Sequence, residues 1–497
     1  MKLLREHPHL FEVNARIWLS RLSAREGRDL SLSTIPQVDL EAIAERFDLL
    51  WLMGAWRRSP GARERALVTP ENIGAYDRAL PGWTAADVEG SPYAVYRYEL
   101  DPLLGGPTEL RVFRERLHNV GMRLIVDFVS NHLALDHPWT LEHPHFLVHG
   151  TEEMVRRRSG QFFPAAGGDW LAHGRDPNFP PWSDTVQVNL SSPQARDALI
   201  GQVSSIADVA DGVRCDTAML GLSDVFEQVW GWALPPGLRP PQEFWSDLIG
   251  RVNAAHPDFL FIAEAYWGLG KRLIELGFDY AYDKQLYDFL RGGSAIDIRQ
   301  HLATSGPLLY RAVRFIENQD EFRATVAFGR ARAHTAAIAA MTLPGLRLVH
   351  DGQIEGKRIR LPLQLVREPL ETVDTSMVDF YNRLLALGNA PAFHKGTWRL
   401  LDVGPAVVWD ESYRHIVGWS WTHKSSHYLV ALNQSDTPAY GRLCQPRNVS
   451  WPAAAWTDLI EPVRAARVEG CGAGVNVRLG PWSARLISGE AGPEALS

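Results

Sequence analysis

Cysteine is nearly absent. Three residues among 497 (Cys215, Cys444 and Cys471) are too few and too scattered for a disulfide framework or a compact metal cluster. An odd count also fits a reducing compartment. No apolar run approaches the ~20 residues needed to cross a bilayer, and the stretch Met1 to His9 lacks the apolar core of a secretory signal. Both point to a cytoplasmic protein with no membrane partner. Basic blocks are missing too, and the net charge of −7 argues against nucleic acid as the main partner. There is no glycine-rich phosphate loop, no internal repeat and no low-complexity tract. Nothing in the sequence sets an oligomeric state. The length exceeds what one compact core accommodates, so two or three domains are expected. Tryptophan is plentiful by contrast: eighteen indoles offer broad faces suited to sugar rings, although large aromatics also fill cores.

Four short apolar runs end in acidic residues with polar neighbours. They are Met122–Val126 into Asp127, Gly212–Cys215 into Asp216, Phe259–Ala263 into Glu264, and Val313–Ile316 into Glu317-Asn318-Gln319-Asp320. Burying an unpaired carboxylate is costly, so packing alone gives no reason for such endings. Parallel strands ending this way would gather several carboxylates on one rim, as in a (β/α)8 barrel active site.

The order of segments supports that architecture. Leu110, Phe113, Leu117 and Val120 line one face of a helix over Glu109–Val120, and Gly121 follows as its cap. Ser192 and Pro193 read as N-cap and first helical residue, with Leu199, Val203, Ile206 and Ala210 as the buried stripe. The expected strands are Phe11–Trp18, Leu49–Met53, Arg123–Phe128, Gly212–Asp216, Phe259–Ala263, Tyr280–Tyr282, Ala312–Ile316 and Leu346–Val349. Eight suffice to close a barrel. The expected fold is therefore α/β: a (β/α)8 TIM barrel over residues 1–132 and 186–395, with a small irregular subdomain at 133–185 inserted after strand 3. From 396 to 497 alternation replaces helical spacing, as in His427–Asn433 and Val475–Leu479, which predicts a C-terminal antiparallel β-sandwich domain.

Asp127-Phe128-Val129-Ser130-Asn131-His132, Gly212-Val213-Arg214-Cys215-Asp216, Glu264 after its apolar run, and Asn318-Gln319-Asp320 resemble, in order, four signature regions of the α-amylase superfamily, glycoside hydrolase family 13. Ser91-Pro92-Tyr93 resembles the family's stretch after the second strand. The resemblance covers nearly the whole chain and implies a retaining glycoside hydrolase or transglycosylase acting on α-glucans or oligosaccharides. Asp216 would be the nucleophile, Glu264 the acid/base and Asp320 the third carboxylate. Tyr93, Asp127, His132, Arg214 and Gln319 would bind or orient the sugar. Arg214, two residues before Asp216 on one strand face, could hold that carboxylate ionised.

Two departures bear on substrate. Gln319 stands where the family commonly has His, and Thr217-Ala218-Met219-Leu220 replaces the Lys-His that often follows the nucleophile. The second weakens both the starch endo-hydrolase reading and any calcium site, for which Asn131 alone remains; no metal or other cofactor is expected. Trp139, Trp170 and Trp182 are candidates to line an acceptor pocket. One alternative is a maltosyl- or glucosyltransferase using a sugar phosphate held by Arg323. Another is a catalytically silent carbohydrate-binding barrel. Glu317 and Glu321 compete with Asp320 for its role, and Cys215 reads as structural.

Overall fold

The computed structural model describes residues 4–234, 242–447, 449, 451, 456–460, 470–471 and 474–490. Eight strands form a closed barrel in sequence order: β1 (His9–Asn14), β2 (Leu49–Met53), β3 (Arg123–Val129), β4 (Gly212–Asp216), β5 (Leu260–Ala263), β6 (Tyr280–Tyr282), β7 (Ala312–Arg314) and β8 (Leu346–His350). Neighbours pair in parallel, with Leu49 opposite Arg123, Gly212 opposite both Ile125 and Leu260, and Ile262 opposite Tyr280. Strands buried on both faces need near-continuous apolar runs, and Leu49–Met53 is buried at every position.

Two expected strands are corrected at their ends. The first stops at Asn14 instead of Trp18, because Asn14 Oδ1 accepts from the Arg16 and Ile17 N–H groups and caps a helix over Ala15–Glu26. The seventh ends at Arg314, two residues early, as the chain turns into the Asn318 loop. The helix Pro193–Ala207 begins as expected, with Ser192 Oγ accepting from the Ala195 N–H at 3.3 Å. Gly121 takes φ +84° just past the helix Glu109–Asn119, a conformation that glycine tolerates.

The chain divides into two compact units, chiefly Phe11–Tyr282 with Ile359–Leu370, and Asp283–Arg358 with Glu371–Ser497. In the first, the segment inserted after β3 is more regular than its Pro and Gly content suggests. Its ends are zipped by antiparallel pairing of His132–Ala134 with Thr185–Gln187, and His149–Gly150, Trp170–Ala172 and Phe162–Pro164 form a second small sheet. In the second unit, a five-stranded antiparallel sheet includes Ile416–His423, Ser426–Asn433 and Ala484–Glu490; a four-stranded one includes Ala439–Cys444 and Gly474–Leu479. Leu401, Ile416, Leu429, Leu443, Trp456, Val475 and Ile487 form their common core. Among the described residues no helix is long and apolar enough to cross a membrane.

Strand spacing leaves no room at Gly212, where an added Cβ would lie 2.6 Å from the Leu260 carbonyl oxygen. Gly212→Ala should cost about 1–3 kcal/mol. Gly201, inside a helix with no atom within 4 Å of an added Cβ, should gain about 0.5–1 kcal/mol as Ala. Urea midpoints of the two variants should therefore move in opposite directions from wild type.

Candidate active site

Asp216 closes β4, and Glu264 directly follows β5. The β4–β5 register sets Cys215 opposite Ala263, and the Glu264 N–H donates to the Cys215 carbonyl at 3.0 Å, so the ladder brings the two carboxylates side by side. Arg214 lies two residues before Asp216, on the same face of the strand, and is fully buried. Its Nη1 donates to Asp216 Oδ1 at 2.6 Å, and its Nη2 lies 2.9 Å from Glu264 Oε1. The rings of Trp51, Tyr93 and Tyr282 surround the guanidinium, with centroids at 5.2, 5.3 and 5.5 Å. Flanked by two anions and three π faces, Arg214 stays charged despite burial, its pKa well above the usual range.

Glu264 is held from two further directions. The Thr217 N–H donates to Oε2 at 2.6 Å and the Tyr266 hydroxyl to Oε1 at 2.8 Å. Thr217 reaches that position with φ +43°, a left-handed conformation that costs a non-glycine residue energy and clusters at functional sites. Burial raises the Glu264 pKa and the Asp216 charge adds to it, while Arg214 and the two hydrogen bonds oppose; the net direction is upward.

Asp127, on β3 opposite Arg214 in register, accepts from Trp51 Nε1 at 3.1 Å and from the Gly54 N–H at 2.8 Å. Both oxygens are thus occupied by the barrel's own groups, an arrangement that orients β2 against β3. Burial pushes its pKa up to about 7. His132 begins the zipped strand of the inserted segment. Its ring lies 4.7 Å from that of Trp182, and burial lowers its pKa to about 4, so it is neutral near pH 7. Gln187 Nε2 donates to the Asn131 carbonyl at 2.7 Å and to Asn131 Oδ1 at 3.0 Å, fixing the residue beside His132 and engaging the oxygen considered for calcium. Among the described residues no group of three or more His, Cys, Asp or Glu is placed to hold a metal ion.

Of the three tryptophans considered for a pocket, only Trp182 packs on His132. Trp139 packs on His137 and Phe146, and Trp170 lies in the small sheet of the insert. Cys215 is buried with its thiol pushed well above the usual range, so it is an unreactive packing residue.

In the second unit, Asp320 lies on the loop after β7. Asn318 Oδ1 accepts from the Asp320 and Glu321 N–H groups at 3.0 and 2.9 Å, and Gln319 Nε2 donates to Asp320 Oδ2 at 2.8 Å. The competing acids have other work. Glu317 is buried and accepts from Arg323 Nη1 and the Ala324 N–H, each at 2.6 Å, and Glu321 lies 3.5 Å from Lys284 Nζ. Arg323 Nη1, paired with Glu317, also donates to the Asp351 carbonyl at 2.8 Å.

Sequence reading missed Trp51, Thr217, Tyr266 and Tyr282. Tyr266, two residues after Glu264, and Tyr282, at the end of an expected strand, carried a positional signal; the left-handed turn at Thr217 carried none.

The raised Asp127 pKa has a testable consequence. Between pH 3.8 and about 7 the unfolded chain releases a proton that the folded chain retains, so stability falls as pH rises through that window. The effect at neutral pH is on the order of 4 kcal/mol. Asp127→Asn removes the titration while leaving one of the two donors poorly matched. The variant should melt below wild type at pH 4, with the gap shrinking by pH 7.5; a constant or widening gap contradicts the assignment. The lowered His132 pKa acts oppositely, but in both proteins, and cancels from the difference.

No protein-family model matches the chain. The α-amylase MalA of Haloarcula japonica is 27% identical over 408 residues, covering 80% of this chain and 53% of that protein. An α-1,4-glucan:maltose-1-phosphate maltosyltransferase of Myxococcus xanthus is 26% identical over 207 residues, covering 40% of this chain and 26% of that protein. The chain spans about half the length of MalA and of an α-amylase from Dictyoglomus thermophilum that it also matches. Among solved structures, a maltogenic α-amylase from Thermotoga neapolitana superposes with a TM-score of 0.68 at 18% identity, covering 98% of this chain and 99% of that one, which establishes the shared fold. The four ordered regions fall on β3, β4, β5 and the β7 loop of that barrel, and the chain is similar in sequence to curated α-amylases and shares the fold of solved ones, as its resemblance to the α-amylase superfamily, glycoside hydrolase family 13, implies.

Proposed function

We propose that the chain is a retaining enzyme acting on α-glucosidic linkages of malto-oligosaccharides or related α-glucosides. The observation that carries this reading is the single buried guanidinium of Arg214 touching both Asp216 and Glu264. A bridge this short suits the ~5–5.5 Å carboxyl separation of retaining enzymes better than the ~6.5–9.5 Å that leaves room for an inverting water.

In the first step an Asp216 oxygen attacks the anomeric carbon while protonated Glu264 gives its proton to the departing glycosidic oxygen. The C–O bond breaks and a β-glycosyl ester forms. In the second step Glu264, now a carboxylate, takes a proton from water or a sugar hydroxyl, which attacks the same carbon and releases Asp216. The raised Glu264 pKa suits the acid role, and the positive charge that develops on the sugar ring in the transition state of each step is met by the Asp216 carboxylate. Asp320, with Gln319 donating to it, is assigned to the sugar hydroxyls by its motif, and Tyr93 and His132 to the bound ring. Asp127 acts through the barrel frame.

Water and sugar remain alternative acceptors, and the relatives named as α-amylases and as maltosyltransferases are consistent with either. The sugar-phosphate variant draws no support from Arg323, whose Nη1 already serves Glu317 and the Asp351 carbonyl. A silent binding barrel would have no need of a charge-bridged carboxylate pair.

Asp216→Asn should lower kcat on maltotetraose by at least about 10³-fold. Glu264→Gln should lower it by about 10²–10⁴-fold on natural linkages. On a 4-nitrophenyl α-glucoside, whose leaving group needs little protonation, the Glu264→Gln loss should be much smaller in the first turnover. Proton NMR of fresh products should show the α-anomer. A β-anomer product, or equal activity of wild type and both variants, would overturn the reading.

A further inference from the structure

An acid that protonates a leaving group has to carry its proton on one particular oxygen, and the contacts around Glu264 choose between the two. The Arg214 guanidinium lies 2.9 Å from Oε1, and the Tyr266 hydroxyl donates to the same oxygen at 2.8 Å. A proton on Oε1 would therefore face a permanent cation that has donors only. Oε2 takes a single donor among the described residues, the Thr217 N–H at 2.6 Å. A carboxyl oxygen has two lone-pair directions, so Oε2 keeps one of them for a proton.

The backbone is bent to aim both donors. Among the described residues of the first unit, Thr217 and Trp267 are the only two besides glycine with a positive φ, at +43° and +57°. Thr217 presents its own N–H to Oε2. Trp267 and Gly268, the latter at φ +73°, make the turn that follows Tyr266, and the Leu269 N–H closes it by donating to the Tyr266 carbonyl at 3.0 Å. Left-handed backbone is costly for a side chain the size of tryptophan. Trp267 is 46% exposed, so its indole buries too little to explain the conformation by packing. Both strained residues of this unit thus lie in the turns that supply the hydrogen bonds to Glu264.

We propose that Tyr266 is a positioning residue for the acid/base: by donating to Oε1 it assigns the transferable proton to Oε2 and steadies the carboxylate that remains once that proton has gone. This role rests on the reading of Glu264 as the acid/base. In the first step the proton leaves Oε2 for the glycosidic oxygen as the C–O bond breaks. The electron pair left behind spreads over both oxygens, where Tyr266 and Thr217 already donate. In the second step Oε2 recovers a proton from the attacking water or sugar hydroxyl. The Tyr266 hydrogen bond is one of the contacts that oppose the upward push of burial on Glu264, which keeps the group able to release its proton as well as to hold it.

The test is the pH dependence of kcat/KM on maltotetraose for wild type, Tyr266→Phe and Glu264→Gln, with thermal melts confirming that the variants fold. Activity is lost on the alkaline side as the acid of the free enzyme gives up its proton. Removing a hydroxyl that favours the carboxylate raises the Glu264 pKa, so in Tyr266→Phe the alkaline limb should move up by about one pH unit. A merely structural role would lower kcat and leave the limb in place. An unmoved limb would overturn the proposal, and so would a downward shift, which would mean that Glu264 donates to Tyr266 instead. Glu264→Gln tells the two readings apart. If the limb disappears there, Glu264 stands as the acid whatever Tyr266→Phe does; a limb retained there would overturn the acid assignment and this role with it.

Discussion

The positive charge of Arg214, buried at the end of β4, is the constraint around which the first unit is arranged. An isolated guanidinium in this position would be prohibitively costly, and each carboxylate alone would be nearly as bad. Together they are tolerable, because Asp216 and Glu264 both lie within 3 Å of the same fork and the rings of Trp51, Tyr93 and Tyr282 close the remaining directions. Removing any one charge leaves the others uncompensated in a buried setting. The cluster therefore acts as a unit, and β2, β4, β5, β6 and the Ser91-Pro92-Tyr93 turn must all be in place before it forms.

That dependence explains the tight contacts nearby. Asp127 ties β3 to Trp51 and Gly54. Thr217 accepts a left-handed backbone so that its N–H can reach Glu264. Gln187 pins Asn131, which sets the start of the strand carrying His132. Each contact fixes a direction, so the groups around the two carboxylates are held in one arrangement. The upward shift of Glu264 comes from the same geometry: it shares Arg214 with Asp216, so the guanidinium only partly offsets the effect of burial.

Much of this was legible in the sequence because it is local. The strands Leu49–Met53, Gly212–Asp216 and Tyr280–Tyr282 match their expected bounds, since continuous apolar runs between turn residues define buried parallel strands. The Ser192-Pro193 helix start and the pairing of Arg214 with Asp216 follow from spacing alone. What was hidden depends on distant or conformational partners. Ala15–Trp18 looked like strand residues until the Asn14 side chain was seen to cap a helix that begins there. The engagement of Glu317 by Arg323 and Ala324 depends on how the β7 loop folds back. The aromatic enclosure of Arg214 draws on residues 51, 93 and 282, which no motif connects.

The claim that Asp216 is the atom-donating partner of this charged cluster is tested most directly by trapping. Incubation with 5-fluoro-α-D-glucosyl fluoride, which forms the glycosyl ester faster than water cleaves it, followed by peptide mass spectrometry, reports the attachment site. The account predicts one fluoroglucosyl group per chain, carried by Asp216. A label on Glu264 or on any other residue, or turnover of glucosides with no covalent adduct formed, would contradict it.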